Sequence, residues 1–215
     1  MATPAGKEVK LHQYFHHLNS SQAMAFNLFF PFLGLPDADP AALLDAMKLP
    51  AGRLERWAFE SVPDEGEGTN FDLHLFVEGG AQYFVEVKLS EQEFGMAKRD
   101  ARHRRKLVRI YRPRLVGKAN PAALVEEPFF KHYQLLRNLS HLQLDRGDRL
   151  VVLVPRASDS LVAGREFLLG AVTPPAAQAV AFVYLEDIIE RLTRDGHLSP
   201  RLTAHIELFT EKYVL

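Results

Sequence analysis

FDLHLFVEGGAQYFVEVKL, residues 71–89, alternates apolar and polar positions on both sides of Gly79-Gly80 and reads as a β-hairpin. How its turn is built decides what the fold brings together. With a two-residue Gly79-Gly80 turn, Asp72 faces Val87; residues directly opposite share a face, so Asp72 points away from Glu86 and Lys88. With a three-residue loop of Glu78, Gly79 and Gly80, or with a bulge elsewhere, Asp72 falls opposite Glu86, and both carboxylates share a face with Lys88. Both registers are open at this point. The tetrapeptide EVKL that ends the hairpin also occurs at residues 8–11, and about one acid-x-Lys triplet is expected by chance in such a composition, so the triplet alone decides nothing.

Upstream, residues 1–10 lack periodicity and are expected to be a mobile tail on a single domain spanning residues 1–215. Ser20 or Ser21 caps an apolar helix that ends between Pro31 and Gly34, and a short helix from Pro40 to Met47 begins at Asp39 or Pro40. LERWAFESV (54–62) is a strand, followed by the polar loop PDEGEGTN. Downstream of Leu89, Ser90 and Glu93 form a capping-box signature that predicts a helix running to Pro113. A loop with Gly117, Pro121 and Pro128 leads to a helix, FFKHYQLLRNLSHLQL. RLVVLVP and AVAFVYL are buried strands, the second feeding the helix EDIIERL. Leu202, Ile206, Phe209 and Tyr213 recur at helical spacing and place a last helix on the core.

The 215 residues are 47% hydrophobic and 25% charged, the balance of an ordinary globular domain. No apolar run approaches the roughly 20 residues of a membrane span, and no cleavable leader pattern precedes Ser20, so no membrane partner is expected. There are no cysteines, which excludes disulfides and thiol nucleophiles; the expected location is cytoplasmic. Between Lys98 and Arg114 stand nine of the chain's 26 Lys and Arg against one of its 27 acids. Lys98, Arg102, Arg105, Arg109 and Arg112 step by four, three, four and three residues, one helical stripe suited to phosphates. A solvated helical face explains the same charges without a ligand.

Two carboxylates on adjacent strands hold Mg²⁺ through hard oxygen ligands, and the metal lowers the pKa of bound water. A lysine on the same face orients that water or stabilises developing charge. A strand bearing Asp72, a hairpin, Glu86-x-Lys88 and a following helix resemble the PD-(D/E)XK nuclease superfamily, with its restriction-endonuclease-like fold. The resemblance is to small bacterial members, through NSSQAMAFN (19–27), TNFD (69–72), FVEVK (84–88) and YQLLRN (133–138), and covers most of the chain. It implies an α/β fold with a core of helix, three-stranded antiparallel meander, helix and strand, plus a C-terminal strand and helices. It further implies a metal-dependent nuclease acting on nucleic acid, with DNA favoured, using Mg²⁺ or Mn²⁺.

Carried over to this sequence, Asp72 and Glu86 are metal ligands, Lys88 is the catalytic lysine and Gln134 supports the site. The literal Pro-Asp dipeptide falls at Pro63-Asp64, but Asp64 lies in a glycine-rich loop and Asp72 in a strand. The first helix lacks the acid that many members carry there, offering Gln22 and Asn27, and Glu60 is the candidate substitute as a metal ligand. That missing acid favours a rival, a nuclease-fold module that binds nucleic acid or a protein without turnover. His12, His16 and His17 lack the glutamate of the metalloprotease pattern and read as surface histidines. No serine-hydrolase elbow, phosphate-binding glycine loop or dinucleotide fingerprint is present. Cutting both strands of a duplex would favour a homodimer.

Overall fold

The computed structural model describes residues 3–5, 9, 11–13, 15–17 and 19–214. Glu8 and Lys10 of the first EVKL lie outside the described residues, as does most of the expected tail. Within that tail, β1 (Thr3–Pro4) pairs in parallel with the outer edge of β2 (Leu54–Ser61). The sheet continues in sequence order through β3 (Phe71–Val77), β4 (Gln82–Val87), β5 (Arg149–Val154) and β6 (Val180–Tyr184). Strands β2, β3 and β4 form an antiparallel meander, whereas β4, β5 and β6 run parallel. Parallel neighbours need crossovers, and helices supply them.

Alternation of side chains along the strands gives the sheet two apolar faces. Leu73, Leu75, Tyr83, Val85 and Val87 look toward one core, and Phe84, Leu150 and Val152 toward the other. The first face is covered by α1 (Ser21–Gly34), α2 (Pro40–Ala46), and the closing helices α9 (Leu185–Arg194) and α10 (Pro200–Tyr213). Their starts follow the sequence. Ser20 Oγ accepts the Ala23 N–H at 3.2 Å, Asp39 Oδ1 that of Ala42 at 3.0 Å, and Ser199 Oγ that of Leu202 at 3.2 Å.

The second face carries α3 (Ala101–Lys106), α4 (Arg112–Leu115), α5 (Glu126–Lys131), α6 (Tyr133–Leu139), α7 (Val162–Ala171) and α8 (Pro174–Ala177). Here the structure corrects three expectations. Ser90 does not start the basic helix; Glu91 Oε2 takes the N–H groups of Leu89 and Ser90 at 2.7 and 3.0 Å, so the reciprocal capping box does not form. Asp100 caps the helix instead, accepting the His103 N–H at 2.9 Å, and Lys98 therefore precedes it. Pro113 does not end it. A π-helical turn, Leu107–Tyr111, joins α3 to α4, and Pro113 sits in the first turn of α4 where its missing N–H costs least. The long helix expected from Phe129 divides at His132 (φ −113°, ψ 36°), and its first part begins at Glu126, taking in Pro128. The crossover helices α7 and α8 had no counterpart in the sequence reading.

A buried carboxylate binds the loop before β3 to this helical layer. Glu67 Oε1 accepts from Tyr111 Oη at 2.5 Å and Arg137 Nε at 2.7 Å, while Oε2 faces His141 Nε2 at 3.0 Å and accepts the Thr69 N–H at 2.8 Å. Burial works against this charge, but these partners outweigh it and hold the carboxyl well below its usual range.

His74, on β3, contacts Ser61 Oγ through Nδ1 and Gln82 Oε1 through Nε2, both at 3.0 Å, and burial pushes its pKa down to about 4. In the unfolded chain it takes its proton near pH ~6.5. Its contribution is therefore fully present above that pH and is lost as the pH falls toward its folded value, by about 3 kcal/mol at most. Urea denaturation of the parent and His74→Gln proteins at pH 7 and pH ~4.5 should show a smaller acid loss for the variant; equal losses would contradict the buried neutral state.

Candidate active site

The pairs Phe76↔Gln82 through Leu73↔Val85 fix the turn as Glu78-Gly79-Gly80. Val77 donates to the Ala81 carbonyl at 2.9 Å, and Gly79 and Gly80 have φ of 86° and 93°, which glycine adopts without a Cβ clash. The three-residue alternative is thus the one present. Continuing the register by one residue sets Asp72 opposite Glu86. On the other side, Phe59↔Leu73 and Ser61↔Phe71 set Glu60 opposite Asp72. Three acidic residues therefore occupy one row across β2, β3 and β4.

Glu86 is only 4% exposed and is held from two directions. Lys88 Nζ reaches Oε1 at 2.9 Å. From α6, Gln134 Nε2 donates to Oε1 at 2.6 Å and Asn138 Nδ2 to Oε2 at 3.0 Å; these residues stand four apart and share a helix face. Gln134 is fixed in turn by Gly95, whose N–H reaches its Oε1 and whose carbonyl takes its N–H, both at 3.0 Å. Arg137 and His141, bound to Glu67, anchor the same helical segment to the loop that leads into Asp72.

Asp72 Oδ2 accepts the Val87 N–H at 2.6 Å. Burial and the neighbouring Glu86 charge raise its pKa well above the carboxylate range, Glu60 adds to the rise, and the Val87 N–H and Lys88 oppose it. Burial alone would depress the Lys88 ammonium, but Glu86, Glu91 and Asp72 raise it instead, so Lys88 is a firmly held cation.

Asp72 and Glu60 line a cavity of about 450 Å³ together with Ser21 and Gln22 of α1, Ser90 and Glu91, and His12 and His17. Gln22 thus occupies the first-helix position at the site, with Oε1 accepting the His12 N–H at 2.8 Å. Asn27 is elsewhere, donating to Tyr213 Oη at 2.8 Å. The Glu60 carboxylate accepts from the Asn70 amide, and Glu60 itself has a φ of 49°, in the left-handed region. Asp64 lies in a different cavity, salt-bridged to Arg114 at 2.6 Å and accepting the N–H groups of Gly66 and Glu67. Among the described residues, no three His, Asp or Glu side chains are grouped closely enough to hold a metal ion.

Arg102, Arg105 and Arg109 are exposed on α3 and the π-helical turn, and Lys98 is exposed ahead of them. Arg112 is exposed too, with its guanidinium on the Leu124 carbonyl at 3.3 and 3.4 Å. Asn138 and Glu67 escaped the sequence reading. The signal for Asn138 was present: two amides four residues apart in YQLLRNL, a segment whose other inward positions are leucine. Glu67 gave none, because a glutamate in a polar loop looks solvated.

Burial and the Glu86 and Glu60 charges disfavour the ionised form of Asp72 more than Lys88 and the Val87 N–H favour it, so Asp72→Asn should stabilise the protein at pH 7. The sign follows from linkage: a carboxyl with a raised folded pKa costs stability once the pH exceeds its unfolded value, and the variant's advantage shrinks on acidification. Chemical denaturation in EDTA at pH 7 and pH 4 checks this, and a destabilised variant would count against the crowding.

Residues 3–214 match the model of a family described as Restriction Endonuclease associating with ARP, and the chain belongs to that family. No curated protein and no solved structure matches it significantly. No helix among the described residues is long and apolar enough to cross a membrane.

Proposed function

From that membership as premise, we propose that the chain is a metal-dependent nuclease of the PD-(D/E)XK type that hydrolyses phosphodiester bonds, with DNA as the favoured substrate. The observation that carries this reading is the placement of Asp72 across from Glu86, with Lys88 2.9 Å from Glu86 on the same face. The residues fit a hard divalent cation. Negative charge is concentrated around Asp72 strongly enough to favour its protonation, and Mg²⁺ or Mn²⁺ bound by Asp72 and Glu86 would neutralise it. Glu60, next in the row, is the candidate for a further ligand once its side chain turns from Asn70.

When bound, the metal would neutralise charge on the scissile phosphate and lower the pKa of a coordinated water. Lys88, charged and held against Glu86, would orient the attacking water and stabilise the negative charge that grows in the transition state. Gln134 and Asn138 would keep the Glu86 carboxylate aimed, as supporting hydrogen bonds do around metal ligands. Lys98, Arg102, Arg105, Arg109 and Arg112 would hold the nucleic-acid backbone without reading its sequence. Cutting a duplex would draw on a homodimer, and the family description names ARP as what its members associate with.

A specific observation favours a second reading, a nuclease-fold module that binds nucleic acid or a protein without cutting. Both oxygens of Glu86 are already hydrogen-bonded, and no three-ligand group stands assembled among the described residues. Incubation of plasmid, single-stranded DNA and RNA with Mg²⁺ or Mn²⁺ separates the two. The nuclease reading expects cutting by the parent, a loss of about a hundredfold or more in Asp72→Ala and Lys88→Ala, and about ten- to a hundredfold in Asn138→Ala. Binding without cutting by a folded parent would establish the second reading instead.

A further inference from the structure

A second cavity, of about 430 Å³, opens on the same face of the sheet. Its floor includes Gln82 and Phe84, which alternate onto the face of β4 that carries Glu86. Its wall is the chain just beyond α6, and three cations enter it: Arg114, Lys118 and Arg146. Two are matched locally. Arg114 pairs with Asp64 at 2.6 Å, and Arg146 pairs with the buried Asp148 at 2.6 Å. Among the described residues Lys118 forms no such salt bridge; its Nζ donates to the Ser140 carbonyl at 3.3 Å, a neutral acceptor.

Lys118 is half-buried, and its ammonium donates to a neutral carbonyl rather than to a carboxylate. Burial lowers the Lys118 pKa, the Arg114 charge lowers it further, and Asp148 and Asp145 act against that. Three cations thus line the cavity, one of them, Lys118, with no salt bridge among the described residues, and each neighbouring guanidinium has N–H groups beyond those spent on its acid. An anion with several acceptor oxygens answers both features.

Distance selects the anion. Gln134, at Glu86, and Ser140, in the cavity wall, are six residues apart along a helical path, about 9 Å. Along β4, Glu86 and Gln82 are four residues apart, about 13 Å. The axial rise is roughly 3.4 Å per nucleotide and phosphates along a strand lie farther apart than that, so the interval is at most about three to four nucleotides. We propose that this cavity seats a backbone phosphate of the nucleic-acid strand whose scissile phosphate lies at Asp72 and Glu86, with Lys118 as the principal charge and Arg114 and Arg146 as added donors. The proposal rests on the nuclease reading and gives the site a footprint: a substrate must extend several nucleotides to one side of the cut.

Lys118→Met keeps the apolar stem and removes the charge, and Lys118→Arg restores the charge. Fluorescence anisotropy in EDTA, where a metal-dependent enzyme does not cut, measures binding of single-stranded dinucleotide and 12-nucleotide DNA across a salt series. The expected result is that Lys118→Met weakens 12-nucleotide binding about threefold or more and reduces the slope of log affinity against log salt by about 0.7, the share of one single-strand phosphate contact. Dinucleotide binding, too short to span both sites, should not change, and Lys118→Arg should bind the longer DNA like the parent. Parent-like binding and slope in a folded Lys118→Met protein would overturn the subsite while leaving the nuclease reading in place. Equal weakening for dinucleotide and 12-nucleotide DNA would overturn the separate footprint. Failure of the parent to bind any nucleic acid would overturn the proposal together with the reading beneath it.

Discussion

The register of one hairpin governs the chemistry available to this protein. Glycines at 79 and 80 adopt positive φ, the loop takes three residues, and Asp72 consequently meets Glu86 rather than Val87. A one-residue slip would turn every side chain of β3 to the opposite face. Asp72 would then enter the apolar core with Leu73 and Leu75 displaced from it, so the burial of those leucines and the placement of the acid are one constraint. Burial and the crowding of like charges on that face raise the Asp72 pKa well above the carboxylate range.

The acids are held by a scaffold that reaches beyond the hairpin. Glu86 depends on α6 for Gln134 and Asn138, and α6 depends on Glu67 through Arg137 and His141. Glu67 also takes Tyr111 from the π-helical turn, so the helix carrying exposed arginines is bonded to the same carboxylate. Removing one partner from such a buried cluster leaves the rest uncompensated, which costs about 3–5 kcal/mol in comparable cases. The helical layer and the site row are thereby positioned as one body, and the second cavity lies along the same face.

Elements with strong local signals were legible in the sequence. The strands of the meander, the caps at Ser20 and Asp39 and the apolar spacing of the last helix each follow from short-range chemistry. Asp72, Glu86, Lys88 and Gln134 were picked out together, and in the structure Asp72 lies opposite Glu86 while Lys88 and Gln134 bond to Glu86. Their separation in sequence left the hairpin register undetermined, since both turn lengths satisfy the same alternating pattern. Ser90 misled because its capping box competes with Glu91, one residue on, for the Ser90 N–H. Pro113 misled because a π-helical turn upstream accommodates it, a tertiary arrangement around buried Leu107 and Tyr111 that no local pattern announces. Glu67 was invisible for the same reason: its partners arrive from residues 69 to 141.

The central claim is that Asp72 and Glu86 form one cation site. Isothermal titration of the metal-free protein with Mn²⁺, at fixed pH above neutrality and with Asp72→Asn and Glu86→Gln proteins in parallel, tests it most directly. The account predicts saturable binding by the parent and at least tenfold weaker binding in each variant, with both variants folded. Parent-like Mn²⁺ affinity in either variant, or no binding by the parent, would contradict it.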